Sequence, residues 1–160
     1  MSTIDAPLPA APAVPGPAPR LLVVRAPYYR EVVDGMTAGA ARILGDAGAV
    51  HEALDVAGAF ELAQAIRLVL RGPVRFDGFI ALGCIVRGET DHYDHICRES
   101  MAGLMQVALQ YGLAMGTGLL TVHDIGQAVA RSGPNGHNKG AEAASAALQQ
   151  IAVARRMGAV

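Results

Sequence analysis

Short apolar runs alternate along the chain with longer stretches in which apolar residues recur every three or four positions. The runs are typical of strands buried on both faces, and the longer stretches are typical of amphipathic helices. The predicted strands lie at 21–24, 50–56, 79–82 and 117–121. The predicted helices cover about 33–47, 60–70, 92–111, 124–131 and 140–155. The chain therefore reads as an alternating series of strands and helices.

This alternation predicts a parallel β-sheet with helices on both faces. Strands that alternate with helices are joined by right-handed crossovers in nearly all known folds. Such sheets bind their ligands beyond the carboxyl ends of the strands. We therefore expect the segments 25–29, 57–61, 83–91 and 117–121 to form one rim that carries the functional site.

Within this scheme, the third helix and the loop before it have specific features. Two glycines in 83–91 indicate a loop that leads into the helix. Apolar residues at three- and four-residue spacing indicate the face that the helix turns to the core. These residues are Ile96, Met101, Leu104, Met105 and Ala108.

The first 19 residues differ from the rest of the chain. They hold six of the nine prolines and one charged side chain. Proline fixes φ and removes a hydrogen-bond donor, so this stretch can form neither a helix nor a central strand. We predict a disordered or polyproline-like arm over 1–19, for instance one lying on a neighbouring subunit, and a single domain over 20–160.

Composition narrows the functional classes. Apolar residues make up 52% of the 160, aromatics only 4%, and the net charge is −1. A chain without a basic cluster is not expected to bind nucleic acid or a membrane surface. We find no apolar run of roughly 20 residues and no secretory signal, which indicates a cytoplasmic protein. Cys84 and Cys97 lack a CxxC or His-rich pattern, so we expect reduced thiols and no metal site.

Two rim segments carry aromatic side chains suited to a flat ligand. Tyr28 follows the first strand, and Phe60 lies in AGAFE, residues 57–61. Aromatic rings favour offset stacking on another π system. Two structural alternatives stay open: Tyr28 could cover the end of the sheet, and Glu61 could interact only with the dipole of its helix.

The third rim segment, GCIVRGETDHYD at 83–94, leads from two glycines into a helix start. Free N–H groups at such a start can bind an anion. The carboxylates of Glu89 and Asp91 would repel a phosphate, so backbone amides would have to hold it with a cation nearby. His92 lies at the helix start and is suited to proton transfer, although it could instead only partner a neighbouring polar group.

A fourth segment, ARSGPNGHNKG at 130–140, brackets a turn-rich loop with two cations. The guanidinium of Arg131 can match phosphate oxygens in pairs. Lys139 is the only lysine, which raises the alternative of a Schiff base, but nothing in the sequence indicates that it is desolvated. A solvated loop between two helices is the structural alternative.

In this order the motifs resemble those of the lumazine synthase family over about 21–151, some four-fifths of the chain. GAFE at 58–61 resembles the family's PGAFE, with Ala57 in place of proline. LGCIVRGETDHYDHICRE at 82–99 resembles the family's LGxVIRGxTxHYDxVCxE almost throughout. NKG at 138–140 matches its GNKG element. The long middle motif is the specific part of the resemblance.

The resemblance implies a three-layer α/β/α sandwich with a flavodoxin-like four-stranded parallel sheet, assembled into pentamers or multiples of pentamers. It implies condensation of 5-amino-6-(D-ribitylamino)uracil with L-3,4-dihydroxybutan-2-one 4-phosphate to 6,7-dimethyl-8-ribityllumazine, the penultimate step of riboflavin biosynthesis. The amine of the pyrimidine attacks the ketone, so neither a cofactor nor a metal is expected. Riboflavin synthase is implied as a candidate partner.

The resemblance also assigns roles by position, at a site that draws on two adjacent subunits. His92 corresponds to the proton donor and acceptor, Arg131 to the chief cation for the phosphate, and Tyr28 to the aromatic that stacks on the pyrimidine. The other implied binding residues are Ala59, Phe60 and Glu61 at the uracil and ribityl chain, Cys84, Ile85 and Val86 at the pyrimidine through backbone groups, Glu89 and Thr90 at the phosphate-bearing substrate, and Lys139 as a further positive charge near the phosphate.

Some positions depart from the family pattern. Thr117 stands where the family often has a phenylalanine that stacks on the pyrimidine from the neighbouring subunit, and Pro27 stands where it has an arginine. We therefore expect weaker pyrimidine binding. GPNGHN at 133–138 replaces the GTKAGN-like stretch of capsid-forming members. A weakly catalytic lumazine- or flavin-binding relative and a shell-forming relative are the alternatives.

Overall fold

A four-stranded, all-parallel sheet forms the centre of the protein, which we describe from a computed structural model covering residues 7–134 and 136–159. The strands are β1 (Arg20–Ala26), β2 (Val50–Asp55), β3 (Gly78–Val86) and β4 (Ala114–Val122). Their order across the sheet is β2-β1-β3-β4. The predicted parallel sheet is confirmed, with β2 and β4 as its outer strands.

Helices cover both faces of this sheet. They are α1 (Arg30–Asp46), α2 (Leu62–Val69), α3 (His92–Tyr111), α4 (Ile125–Val129) and α5 (Lys139–Arg156), with a 3₁₀ turn at Ala59–Glu61 before α2. One core cluster joins alternate residues of β1, β3 and β4 to α1 and α5. A second joins the other residues of those strands to α2 and α3. The result is the three-layer α/β/α sandwich that the resemblance implied.

Helix α5 packs unusually close to both β4 and α1, because glycines stand at the contacts. A Cβ on Gly140 would lie 1.8 Å from the carbonyl oxygen of Met36 in α1. A Cβ on Gly116 of β4 would lie 1.8 Å from the carbonyl oxygen of Ala143 in α5. Since these neighbours are backbone atoms, they cannot move aside without shifting a helix. The two glycines therefore allow α5 to lie in backbone contact with β4 and α1.

The predicted bounds of β3 and β4 were too short. Residues 83–86 belong to β3 and pair with 119–122 of β4, so both segments lie in the sheet and not in rim loops. A Cβ on Gly83 would lie 2.9 Å from Leu119 Cδ1, so a larger residue would require the leucine side chain to shift. A glycine inside a strand therefore does not by itself indicate a loop.

The predicted inner face of α3 was wrong in part. Leu104 and Val107 are buried, as is Ser100, whereas Met101 and Met105 are 42% and 61% exposed. The two methionines lie with the exposed Leu109 at four-residue spacing on the opposite side of the helix. Both stripes share the same periodicity, so the sequence could not show which one contacts the core of its own chain.

The proline-rich segment lies against α5 in the part of the arm that is described, residues 7–19. Ser145 Oγ donates to the carbonyl of Ala10 (2.8 Å), and Arg155 donates to the carbonyls of Pro15 (2.8 Å) and Pro17 (2.6 Å). These contacts form because backbone carbonyls in a proline-rich segment remain good acceptors for donors on a neighbouring helix. Residues 1–6 lie outside the described residues, and the division into arm and domain stays a prediction.

Across the described ranges, none of the helices combines the length and the apolar composition that crossing a membrane requires.

A Gly140→Ala substitution tests the close helix contact. We expect a loss of at least about 2 kcal/mol in the free energy of unfolding, because the added methyl group collides with backbone. Gly45→Ala is the matched control. Gly45 lies in α1 with open space around its Cα, so alanine should stabilise by about 0.5–1 kcal/mol. Urea denaturation would compare the two variants, and equal effects would contradict this account of the packing.

Candidate functional site

A cavity of about 590 Å³ opens at the carboxyl ends of β1 and β3. Its walls come from the turn after β1, the segment after β2, the end of β3 and the start of α3. The lining residues are Tyr28, Tyr29, Ala57, Gly58, Ala59, Phe60, Glu61, Cys84, Ile85, Val86, His92 and Ile96. The structure thus gathers eight of the predicted site residues in one cavity.

The aromatic side of the cavity comes from a tight turn after β1. The Tyr28 amide donates to the carbonyl of Ala26 at 2.9 Å, and this turn leaves the Tyr28 ring 79% exposed. The ring of Tyr29 lies edge-on to it, with centroids 5.4 Å apart. An exposed face that a second ring holds in place can stack on a flat heterocycle. Sequence reasoning passed over Tyr29, which a second aromatic beside Tyr28 could have indicated.

The 3₁₀ turn presents Phe60 and Glu61 to the same cavity. The Glu61 amide donates to the carbonyl of Gly58 at 3.2 Å, and the Phe60 side chain is 49% exposed. Glu61 makes no side-chain hydrogen bond to the start of α2. Its carboxylate lies instead over Gly58, where a Cβ would approach Glu61 Oε2 to 3.2 Å. Glu61 therefore does not cap the helix through a hydrogen bond, whereas an interaction with the helix dipole stays open, and the residue lines the cavity.

His92 is the first residue of α3 and is exposed at the cavity. Arg87 braces this helix start through two contacts, a hydrogen-bonded ion pair with Asp94 at 2.6 and 2.9 Å and a cation–π contact with Tyr93 at 4.8 Å. The hydrogen bond from Arg87 to Asp94 raises the pKa of Arg87. The guanidinium is thus occupied in shaping the loop and is not an unpaired cation for a ligand.

A second, smaller cavity of about 230 Å³ lies along β4, the outer strand. Its lining includes Thr117, Thr121, Arg131 and Lys139. Thr117 pairs with Ala81 in the middle of β4, so the predicted strand at 117–121 is confirmed, but its placement at the rim was wrong. The cavity nevertheless combines two cationic side chains with hydroxyl groups, which suits an anionic ligand.

The loop that carries the two cations is held by Asn138, which is 4% exposed. Its side-chain oxygen accepts from the amides of Gly140 and Ala141 at the start of α5, at 2.9 and 3.1 Å. Its side-chain nitrogen contacts the carbonyls of Gly35, Ser132 and Gly133 at 2.8–3.0 Å. Sequence reasoning missed this role, although an asparagine directly before a helix is a favoured N-cap.

The predicted site residues therefore fall into three groups within one chain. Eight line the first cavity, and Thr117, Arg131 and Lys139 line the second. Glu89 and Thr90 are exposed between β3 and α3, outside the lining of both cavities. Within residues 7–134 and 136–159, no three His, Cys, Asp or Glu side chains are grouped as metal ligands.

The thiol of Cys84 is unsuited to nucleophilic chemistry. Burial raises its pKa to about 11, so the thiolate is a very small fraction at neutral pH. Burial also raises the pKa of the Cys97 thiol. The first cavity therefore offers backbone, aromatic, carboxylate and imidazole groups.

Thiol reactivity checks this assignment. In a Cys97→Ser variant, Cys84 should react with an aromatic disulfide at pH 8 about 100-fold more slowly than an unfolded thiol, because the raised pKa lowers the thiolate fraction. The rate is followed by absorbance before and after unfolding in guanidinium. Because the folded-state pKa is the higher one, folding stability should fall as the pH rises from about 9 to about 11. Equal reaction rates in the folded and unfolded protein would contradict the assignment.

Comparison with known proteins identifies the family. The family model described as 6,7-dimethyl-8-ribityllumazine synthase matches residues 18–155. The chain is 43% identical to the 6,7-dimethyl-8-ribityllumazine synthase of Paramagnetospirillum magneticum, covering 87% of this chain and 97% of that one. It is 41% identical to 6,7-dimethyl-8-ribityllumazine synthase 1 of Rhizobium meliloti and 40% identical to the synthase of Agrobacterium fabrum, over 87% and 88% of this chain and 94% and 97% of theirs. The chain therefore belongs to the 6,7-dimethyl-8-ribityllumazine synthase family.

Proposed function

We propose that this enzyme condenses 5-amino-6-(D-ribitylamino)uracil with L-3,4-dihydroxybutan-2-one 4-phosphate at a site shared by two copies of the chain. The product is 6,7-dimethyl-8-ribityllumazine, and phosphate and two water molecules are released. Family membership supports the reaction. One observation supports placing the site between two copies. The stacking and proton-transfer groups line one cavity, whereas the cationic groups line another.

In this proposal the first cavity binds the pyrimidine. Tyr28 stacks on the ring, and backbone groups of 84–86 meet its polar edge. Phe60 and Glu61 line the region of the ribityl chain. The exposed ring, the open 3₁₀ turn and the lack of a helix cap on Glu61 support these roles.

In this reaction the substrate supplies the nucleophile, and the protein has to supply the proton transfers. The substrate amine attacks the ketone, and loss of water leaves an imine. Removal of the proton from the hydroxyl-bearing carbon expels the phosphate and leaves an enol, which tautomerises to a new ketone. Attack of the second amine on this ketone, with loss of another water, closes the ring. His92 at the cavity mouth donates and accepts these protons, since an imidazole can do both near neutral pH.

The second cavity binds the phosphate in this proposal. Arg131 supplies the chief charge and Lys139 adds to it, while Glu89 and Thr90 contribute from the loop before α3. Since the cations lie away from His92 within one chain, the complete site needs a neighbouring copy. We propose a cytoplasmic homopentamer or a multiple of it. The exposed apolar stripe of Met101, Met105 and Leu109 supports an assembly that buries it.

Turnover of the two substrates, followed by lumazine absorbance, tests the function. The parent protein should exceed the spontaneous background, and His92→Ala should lower kcat roughly 100-fold because general acid–base catalysis is lost. His95→Ala, one turn along the same exposed face, is the matched control and should keep kcat. Parent rates equal to the background would reject the catalytic function and favour a ligand-binding or shell-forming protein.

Mixing two impaired variants, assayed at a low concentration of the phosphorylated substrate, tests the shared site. Arg131→Ala should raise KM for the phosphorylated substrate, and subunits of Arg131→Ala and His92→Ala should regain activity when unfolded and refolded together. In a random equal mixture, roughly a quarter of sites combine an intact His92 with an intact Arg131 from a neighbour. No recovery in a mixture shown by mass photometry to assemble would place the whole site within one chain.

Thr117→Phe should strengthen pyrimidine binding. An added stacking face contributes about 1–3 kcal/mol, or some 5- to 150-fold in affinity. Thr117→Val replaces the hydroxyl group with a methyl group but adds no ring, and it should leave the affinity near that of the parent. Calorimetric titration with the pyrimidine compares the three proteins, and no tighter binding by Thr117→Phe would reject this position as a stacking site.

A further inference from the structure

Three ionisable side chains cluster where α5 begins. The Lys139 amine donates to Glu142 Oε2 at 2.6 Å. The other carboxylate oxygen, Oε1, faces His137 Nδ1 at 3.6 Å. The His137, Lys139 and Glu142 side chains are 23%, 25% and 33% exposed, so water screens them only in part. One carboxylate thus stands between a lysine and a histidine.

Two atoms of this cluster lack a hydrogen-bond partner. Within the described residues, His137 Nδ1, Glu142 Oε1 and Ser100 Oγ are the buried side-chain polar atoms without one. The first two face each other. A protonated imidazole would place an N–H and a positive charge against Oε1, and a closing movement of about 0.8 Å would shorten the 3.6 Å separation to a charge-assisted hydrogen bond. The geometry therefore leaves Oε1 open to a donor from His137.

This cluster adjoins the cationic cavity. Lys139 and Arg131 both line it, and the Lys139 amide donates to the carbonyl of Arg131 at 2.8 Å. While Glu142 binds it, the charge of Lys139 is largely neutralised, and Arg131 is left as the main cation. On its other side, Glu142 lines a groove with the uncharged residues 7–12 of the arm. Among the described residues, Glu142 is the charged group that faces His137, Lys139 is bound to the other oxygen of Glu142, and Arg131 lines the cavity with Lys139.

We propose that His137 and Glu142 set the affinity of this cavity for phosphate. With neutral His137, Glu142 is committed to Lys139. Protonation of His137 gives the carboxylate a second cation, and the net charge of the cluster rises from zero to +1. Lys139 then acts on the anion with less opposition. This inference rests on the proposed placement of the phosphate at Arg131 and Lys139.

The test uses sulfate as a competitive inhibitor against the phosphorylated substrate, between pH 8 and pH 5.5. Sulfate remains a dianion throughout this range, whereas the second ionisation of a phosphate monoester lies within it. Histidine is the side chain whose charge ordinarily changes in this interval. In the parent protein, we expect the inhibition constant to fall about three- to tenfold towards pH 5.5, because a nearby positive charge is added.

Two variants isolate the cluster. His137→Gln should remove most of this pH dependence. Glu142→Gln should lower the inhibition constant at pH 8 to near the parent value at pH 5.5, since the opposing charge is lost. His51→Gln, on the exposed outer strand β2, is the matched control and should behave as the parent does. The two variants change the cluster from opposite sides, so either one suffices if the other does not fold.

The outcomes distinguish a failure of the role proposed for His137 and Glu142 from a failure of the phosphate placement on which it rests. Unchanged pH dependence in His137→Gln, or weaker sulfate binding in Glu142→Gln, would overturn the role of the cluster. An Arg131→Gln variant is measured alongside them. If it weakens sulfate binding while the cluster variants have no effect, only the present inference fails. If it also leaves sulfate binding unchanged, the anion lies elsewhere and the proposed placement fails with it.

Discussion

The side chain of Asn138 joins three parts of the chain in the interior of the protein. Its oxygen accepts from the first amides of α5, and its nitrogen contacts carbonyls of α1 and of the turn after α4. A Cβ on Gly39 would lie 2.2 Å from that oxygen, so the asparagine fits only against a bare helix surface. Asn138 can make these hydrogen bonds only because Gly39 has no side chain. Together they determine where α5 starts.

The position of α5 then decides where the cations lie. Arg131 and Lys139 stand at the two ends of the loop that Asn138 closes, and the backbone hydrogen bond between them brings both to the cavity beside β4. The aromatic and imidazole groups follow from the sheet, because β1 ends at Ala26 opposite Gly83, while β3 continues to Val86 and leads into α3. The packing of α5 thus forms the cationic cavity, and the ends of the strands form the aromatic one. In the proposed shared site, one copy of the chain would supply the first cavity and an adjoining copy the second.

The charges near the ligand cavities are mostly committed to partners within the chain. Arg87 is bound to Asp94, and Lys139 to Glu142. The exposed Arg87–Asp94 pair contributes little to stability because water screens it, but it holds the loop before His92 in one shape. Sequence alone identifies these residues as charged, and only their pairing distinguishes a bracing charge from one that serves a ligand.

Periodicity and motif order in the sequence were sufficient for the alternating elements, the parallel sheet and the family. They were sufficient because apolar spacing reflects which face of a helix or strand is buried, and this is decided within a few residues. The motifs identify the family because their residues lie close together in the sequence. The extension of β3 through Gly83, the outward turn of Met101 and Met105, and the docking of residues 7–19 on α5 depend on contacts between distant segments. For the same reason, only the tertiary structure separated His92 from Arg131 and brought Glu142 between Lys139 and His137.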